Sequence, residues 1–116
     1  MSLRAPIAVT VEVRAAGQRV FRLATSLGED GLGLERPAPF ERGRPVEIAF
    51  IMPNGGAPLR MHARVEAGAE DDDEEGDPNG VGGGRELTFL SIDDQDRQLV
   101  RGYVVERLGL PDLPGA

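Results

Sequence analysis

The residues best suited to bind a ligand lie in a short turn between two predicted strands, at residues 26–31. Ser26 carries a hydroxyl, and Gly28 and Gly31 are two glycines within one turn. Glycine is favoured where φ is positive or where another group approaches the backbone closely. All 13 basic residues of the chain are arginines, whose planar guanidinium groups suit phosphates and the Hoogsteen edge of guanine. The preferred interpretation is that both glycines only shape a hairpin turn, and the alternative is that the turn is a ligand site.

A second candidate site is the acidic run at residues 70–77, which holds seven of the chain's 20 acids. Part of it fits positions 1, 3, 5 and 6 of a calcium-binding EF-hand loop, namely Asp71, Asp73, Glu75 and Gly76. Position 12 of that loop should be a bidentate Glu but is Gly82 here, and no flanking helices are predicted. A solvated loop is therefore the preferred interpretation, and no metal site is predicted.

Catalytic chemistry has no recognisable residues in this chain. His62 is the only histidine, and it lies on the polar face of a predicted strand between two arginines. No serine pairs with it in a known arrangement, and the chain has no cysteine. The glycine-rich stretch at residues 82–85 lacks the G-K-[ST] of a phosphate-binding loop. The sequence predicts no catalytic residue and no cofactor, and we do not expect an enzyme.

Composition limits the class of protein. A chain of 116 residues is long enough for one domain with a modest core. No apolar run approaches the ~20 residues that a membrane span requires, and no signal-peptide pattern opens the chain. The lack of cysteine excludes disulfides. We therefore expect a cytoplasmic domain that does not insert into a membrane.

The net charge of −7 comes from the acidic run alone. Without those seven acids, 13 remain against 13 arginines, so the folded body is close to neutral. A protein without a basic excess is a poor candidate for nucleic-acid binding. Neither DNA nor RNA is expected as a partner.

Strand-like alternation of apolar and polar residues recurs along the chain. It predicts strands at residues 7–14, 20–25, 32–35, 46–52, 59–66 and 85–92. Residues 67–84, which hold the acids and a glycine-rich tail, cannot bury enough apolar surface to offset the entropy of ordering. We predict that this segment is a disordered insertion between two strands of a hairpin.

The C-terminal part has helical periodicity. A helix is predicted over residues 93–108, packed through Leu99, Tyr103 and Val104 and ended by Gly109 and Pro111. Gly102, inside it, is attributed to close packing against a barrel. The predicted fold is mainly all-β, a six-stranded antiparallel barrel with one C-terminal helix. It forms a single domain at residues 4–110, followed by a tail at 111–116.

The turn and its surroundings resemble the PilZ domain, the bacterial receptor module for cyclic di-GMP. The family signature is R-x-x-x-R followed, after one hairpin, by D/N-x-S-x-x-G. Here the second motif reads Ser26-Leu27-Gly28-Glu29-Asp30-Gly31. Its last glycine matches, its first position keeps a small polar side chain, and its central serine is glycine. Arg4 stands at the second signature arginine, and the first would fall four residues earlier, before Met1.

The resemblance covers about residues 4–110 and implies a non-catalytic regulatory domain of cyclic di-GMP signalling with a protein partner. Its ligand-binding positions carry over onto Arg4, Ser26, Gly28 and Gly31. Gly28 cannot supply a hydroxyl, and Glu29 and Asp30 would repel phosphates, so nucleotide binding is expected to be weak or lost. Family members act on motility, exopolysaccharide synthesis and related outputs. The alternative is an adaptor domain that never binds the nucleotide and works only through protein contacts.

Overall fold

The computed structural model describes residues 3–67 and 83–109. Its elements, in chain order, are β1 (Ala5–Ala15), β2 (Gln18–Gly28), β3 (Gly31–Ala38), β4 (Pro45–Phe50), β5 (Leu59–Glu66), β6 (Gly84–Ser91) and α1 (Asp94–Leu108). The strands form a closed barrel in the order β1-β2-β3-β6-β5-β4, and every neighbouring pair is antiparallel. The predicted six-stranded antiparallel barrel with one C-terminal helix is confirmed.

Alternation along the strands decides which side chains fill the barrel. In β5, Leu59, Met61, Ala63 and Val65 are buried while the residues between them face outward, as the period of two requires. The core is aliphatic at its centre, where the largest fully buried side chains are Leu27, Leu32, Leu87, Val11, Val13, Val65 and Val100. Burial of each such side chain stabilises the fold by roughly 1.5–3 kcal/mol. The same core fixes the positions of the strand ends around residues 26–31.

The helix α1 begins within one residue of its predicted start and ends at Leu108, and the cap residue Gly109 has a φ of 69°, in the left-handed region. It packs on the barrel through Val100 and Val104, which are four residues apart and buried. The expectation that Leu99 packs against the barrel is wrong, because Leu99 is 49% exposed. One residue turns a helix by about 100°, which moves Leu99 off the narrow stripe that Val100 and Val104 share.

Tyr103 does contact the barrel as expected, since it is partly buried and its hydroxyl donates a 2.7 Å hydrogen bond to the carbonyl oxygen of Pro6. The close packing expected at Gly102 is wrong. This glycine is exposed, and a side chain there would meet nothing within 4 Å. Its position in the helix therefore has no packing reason.

Most of the predicted insertion at residues 67–84, with the calcium-like pattern and Gly82, lies outside the described residues. The tail at 111–116 lies outside them as well. At the insertion's end, Gly84 is already the first residue of β6, one residue inside the predicted segment. Of the chain that the structure describes, no helix has the length and apolar character to cross a membrane.

Candidate ligand site around Arg4

The hairpin between β2 and β3 forms the centre of the candidate site. Gly28 ends β2, Glu29 and Asp30 make a two-residue turn, and Gly31 begins β3 directly opposite Gly28. Neither glycine has a positive φ. Of the two reasons that favoured glycine here, the structure therefore supports close approach of another group.

At Gly31 the approaching group is the backbone of β6. A side chain at this position would run into the carbonyl oxygen of Leu87. The turn is also tied to β6 by a 2.9 Å hydrogen bond that the Phe89 N–H donates to the carbonyl oxygen of Asp30. Gly31 thus lets the β2–β3 hairpin lie against β6, which brings a third strand to the site.

At Gly28 the approaching group is the segment before β1, formed by Leu3 and Arg4, which we call the N-terminal arm. A Cβ atom on Gly28 would lie 2.5 Å from the carbonyl oxygen of Leu3 and 2.8 Å from Cδ of Arg4. Pairing of Ala5 with Leu27 brings the arm to this place. The arm therefore lies directly on the turn.

The guanidinium of Arg4 binds three side chains of the site, which with it form what we call the Arg4 cluster. Its Nε donates to Oδ1 of Asp30 at 3.1 Å, and its Nη1 donates to the Ser26 hydroxyl at 3.4 Å. Its Nη2 donates to Oε2 of Glu86 in a close ion pair. All three nitrogens of the guanidinium are engaged by groups of the same chain.

Electrostatics hold Arg4 in its charged form. Its side chain is only 26% exposed, and burial by itself lowers its pKa. Hydrogen bonds and charge attraction from Glu86 and Asp30 outweigh this burial, so the pKa is raised above its ordinary value. With two carboxylates around one guanidinium, the Arg4 cluster has a formal charge of −1 when both acids are ionised.

Ser26 and Glu86 face each other across Gly33. Ser26 pairs with Gly33 between β2 and β3, and Gly33 pairs with Glu86 between β3 and β6. A Cβ atom on Gly33 would lie 2.7 Å from the Ser26 hydroxyl. The missing side chain at Gly33 therefore leaves room for the hydroxyl and the carboxylate to reach Arg4 from either side.

The structure brings together all four residues that the sequence singled out. Arg4 and Ser26 are in contact, Gly28 lies under Arg4, and Gly31 brings β6 into place. Sequence reasoning missed Glu86 and Gly33. Because Glu86 precedes Leu87, whose side chain is buried, the alternation along the strand predicts that Glu86 faces outward. Its position beside Ser26, however, depends on the register between β3 and β6.

Comparison with known families settles what this barrel is. The sequence matches the PilZ domain family over residues 2–106. The chain belongs to the PilZ domain family. PilZ domains are regulatory and non-catalytic receptor modules, and the resemblance noted in the sequence is confirmed. No curated protein shows significant sequence similarity to the chain.

Solved structures that share the fold include a motility inhibitor and a PilZ domain. The Bacillus subtilis inhibitor of motility, MotI/DgrA, superposes with a TM-score of 0.72 at 15% identity, over 93% of this chain and 50% of that protein. The PilZ domain of CeSA from a cellulose-synthesizing bacterium superposes with a TM-score of 0.55 at 19% identity, over 91% of this chain and 97% of that domain. At these identities the likeness concerns the fold, and the chain spans about half the length of MotI/DgrA.

Proposed function

We propose that this chain is a non-catalytic PilZ regulatory domain of bacterial cyclic di-GMP signalling whose own affinity for the nucleotide is weak or lost. The observation that carries the proposal is the engagement of Arg4 by Asp30 and Glu86. Of the two arginines in the family signature, the given sequence contains only the second, at Arg4. A phosphate of the ligand would therefore bind Arg4.

Electrostatics oppose the ligand at this site. A phosphate that binds Arg4 has to displace two carboxylates of the same chain or lie beside them. Gly28 offers no hydroxyl to replace the lost contact. Each buried hydrogen bond that a ligand cannot make costs roughly 1–3 kcal/mol, and two or three such losses move a micromolar binder to about the millimolar range.

The output of the domain is proposed to be a protein contact. MotI/DgrA is by its name an inhibitor of motility, and the CeSA domain comes from a cellulose-synthesizing bacterium. These names fit regulation of motility or of exopolysaccharide synthesis, and we propose that this chain is cytoplasmic and acts on a protein partner. We propose the same class of output for this chain, with neither DNA nor RNA as a partner.

Titration calorimetry with cyclic di-GMP tests the proposal. The unaltered chain should show no binding or a Kd above about 100 μM, which corresponds to roughly −5.5 kcal/mol. Restoration of the motif by Ser26→Asn with Gly28→Ser, and an arginine placed four residues before Arg4, should raise the affinity by about tenfold or more. A low-micromolar Kd for the unaltered chain would contradict weak or lost binding.

The adaptor function remains the second candidate, and the outer face of the barrel favours it. Phe21 is 54% exposed and Ile51 is 48% exposed, and both line the same open groove of about 440 Å³. Large apolar side chains that share one groove are typical of surfaces that contact another protein. If the restored motif also fails to bind cyclic di-GMP, the adaptor is the better description.

A further inference from the structure

The N-terminal arm occupies the place where the family signature has a side chain. The central serine of the signature corresponds to Gly28, and a Cβ atom there would collide with the carbonyl oxygen of Leu3 at 2.5 Å. A serine at this position and the arm in its present place exclude each other. The docked arm therefore requires glycine at position 28.

The docked arm is held by charges from two separate elements. Asp30 belongs to the β2–β3 turn, which the Phe89 N–H fixes on β6, and Glu86 belongs to β6 itself. Neither carboxylate is adjacent to Arg4 in the chain, since they lie 26 and 82 residues away. Because strand pairing sets both positions, the two carboxylates surround the guanidinium without any bound ligand.

We infer that Asp30 and Glu86 act as an internal substitute for the phosphates of the nucleotide and hold the N-terminal arm on Gly28, so that they determine the affinity of the site. This inference rests on the proposed function and names the residues that set its regulation. Cyclic di-GMP competes with the two carboxylates for Arg4. Removal of their charges loosens the arm and makes Arg4 available to a phosphate.

The competing explanation is that the two carboxylates only stabilise the fold. The two roles differ in what charge removal does to the ligand. An amide at position 86 or 30 keeps the size of the side chain and an oxygen that accepts a hydrogen bond from Arg4. It removes the negative charge that competes with a phosphate, so a merely structural role predicts no gain in nucleotide affinity.

The main experiment measures cyclic di-GMP binding by calorimetry for the unaltered chain, Glu86→Gln, Asp30→Asn and the double variant. The matched control is Glu47→Gln, because Glu47 in β4 forms a 3.0 Å ion pair with Arg14, which lies in β1 outside the site. The double variant should bind about tenfold more tightly or better, since charged hydrogen bonds are the strong ones. The control should not change, and Arg4→Ala in the double variant should abolish the gain.

A second measurement follows the arm without any nucleotide. Trypsin cleaves after arginine, and cleavage after Arg4 requires the arm to leave the turn. Mass spectrometry should show that the double variant loses its first four residues several-fold faster than Glu47→Gln does, because opening of the arm limits cleavage. Melting curves for each variant separate release of the arm from unfolding of the barrel.

The outcomes separate this inference from the function on which it rests. A gain in affinity with faster cleavage supports it, and an unchanged affinity or unchanged cleavage in the double variant overturns it. If the restored motif binds cyclic di-GMP while the acid substitutions have no effect, only this inference fails. If neither the restored motif nor the double variant binds, the proposed function fails, and the inference fails with it.

Discussion

The two turns at the ends of β2 have the same length, but different interactions determine their conformations. The first, at Ala16 and Gly17, joins β1 to β2, and both residues have a positive φ, of 52° and 78°. The second, at Glu29 and Asp30, joins β2 to β3 and has no positive φ. The first turn has the backbone that two-residue hairpins favour, whereas the second is bound to β6 and to Arg4.

The arginines beside these turns differ in the same way. Near the first turn, Arg14 and Arg19 pair with Glu12 and Glu47 at 3.0 to 3.9 Å, and both arginines are more than half exposed. Near the second, Arg4 is 26% exposed and binds three side chains. The first turn is therefore determined locally, while the second depends on contacts between distant segments.

The largest loss of stability is expected from Gly31→Ala, which disturbs the contact between the second turn and β6. The added methyl group would collide with the carbonyl oxygen of Leu87, so β3 and β6 would have to separate. Overpacking of a tight contact typically costs 1–3 kcal/mol, and we expect about 3 kcal/mol here because the obstacle is backbone. Urea denaturation measures the loss.

The control for that substitution is Gly102→Ala, where a side chain has open space. Alanine should stabilise the exposed helix by up to ~1 kcal/mol. Equal destabilisation by both variants would show that close approach at Gly31 is not the reason for its effect.

Two matched arginine substitutions, one beside each turn, should differ in their effect on stability. Arg4→Ala should lower the free energy of unfolding by about 1.5 kcal/mol, because it removes charged hydrogen bonds and leaves Glu86 without its partner. Arg14→Ala should change it by less than about 0.5 kcal/mol, because exposed ion pairs contribute little. Chemical denaturation of both variants checks the ranking, which equal losses would refute.

The first turn should respond to local chemistry alone. Ala16 is the only residue other than glycine with a positive φ in the described chain, and asparagine tolerates this conformation better than alanine does. Ala16→Asn should therefore stabilise the protein by roughly 0.5 kcal/mol. Thermal melting would show a small rise, and a fall in Tm would mean that this turn also depends on distant contacts.

The smallest effect is expected from the connection between β5 and β6. Replacement of residues 68–82 by a short Asn-Gly linker should leave the Tm unchanged or slightly higher, because a shorter loop loses less entropy on folding. Gly83 and Gly84 are kept, since the Gly83 carbonyl oxygen accepts a hydrogen bond from Arg42 and Gly84 pairs with Ala38. A large loss of stability would show that the acidic run contributes to the fold.

Much of the fold was predictable because strands and helices leave periodic signals. The alternation in β5 and the helical spacing of Val100 and Val104 follow from side-chain directions in each element. Details that depend on how elements meet were not predictable in this way. Leu99 fits the helical period as well as Val100 does, and only the line of contact with the barrel separates them.

The candidate site also combines features set by neighbouring residues with features set by contacts between distant elements. The amino-acid sequence was sufficient to predict the strand-turn-strand unit, the position of Arg4 ahead of β1 and the glycines of the turn, because neighbouring residues set these features. The contact of Glu86 with Arg4 beside Asp30, and the contact of Leu3 with Gly28, arise from the folded barrel and have no local signal in the sequence. The physical reason is that barrel closure pairs β3 with β6, and the register of that pairing, which no local pattern encodes, places a carboxylate 82 residues away beside the guanidinium.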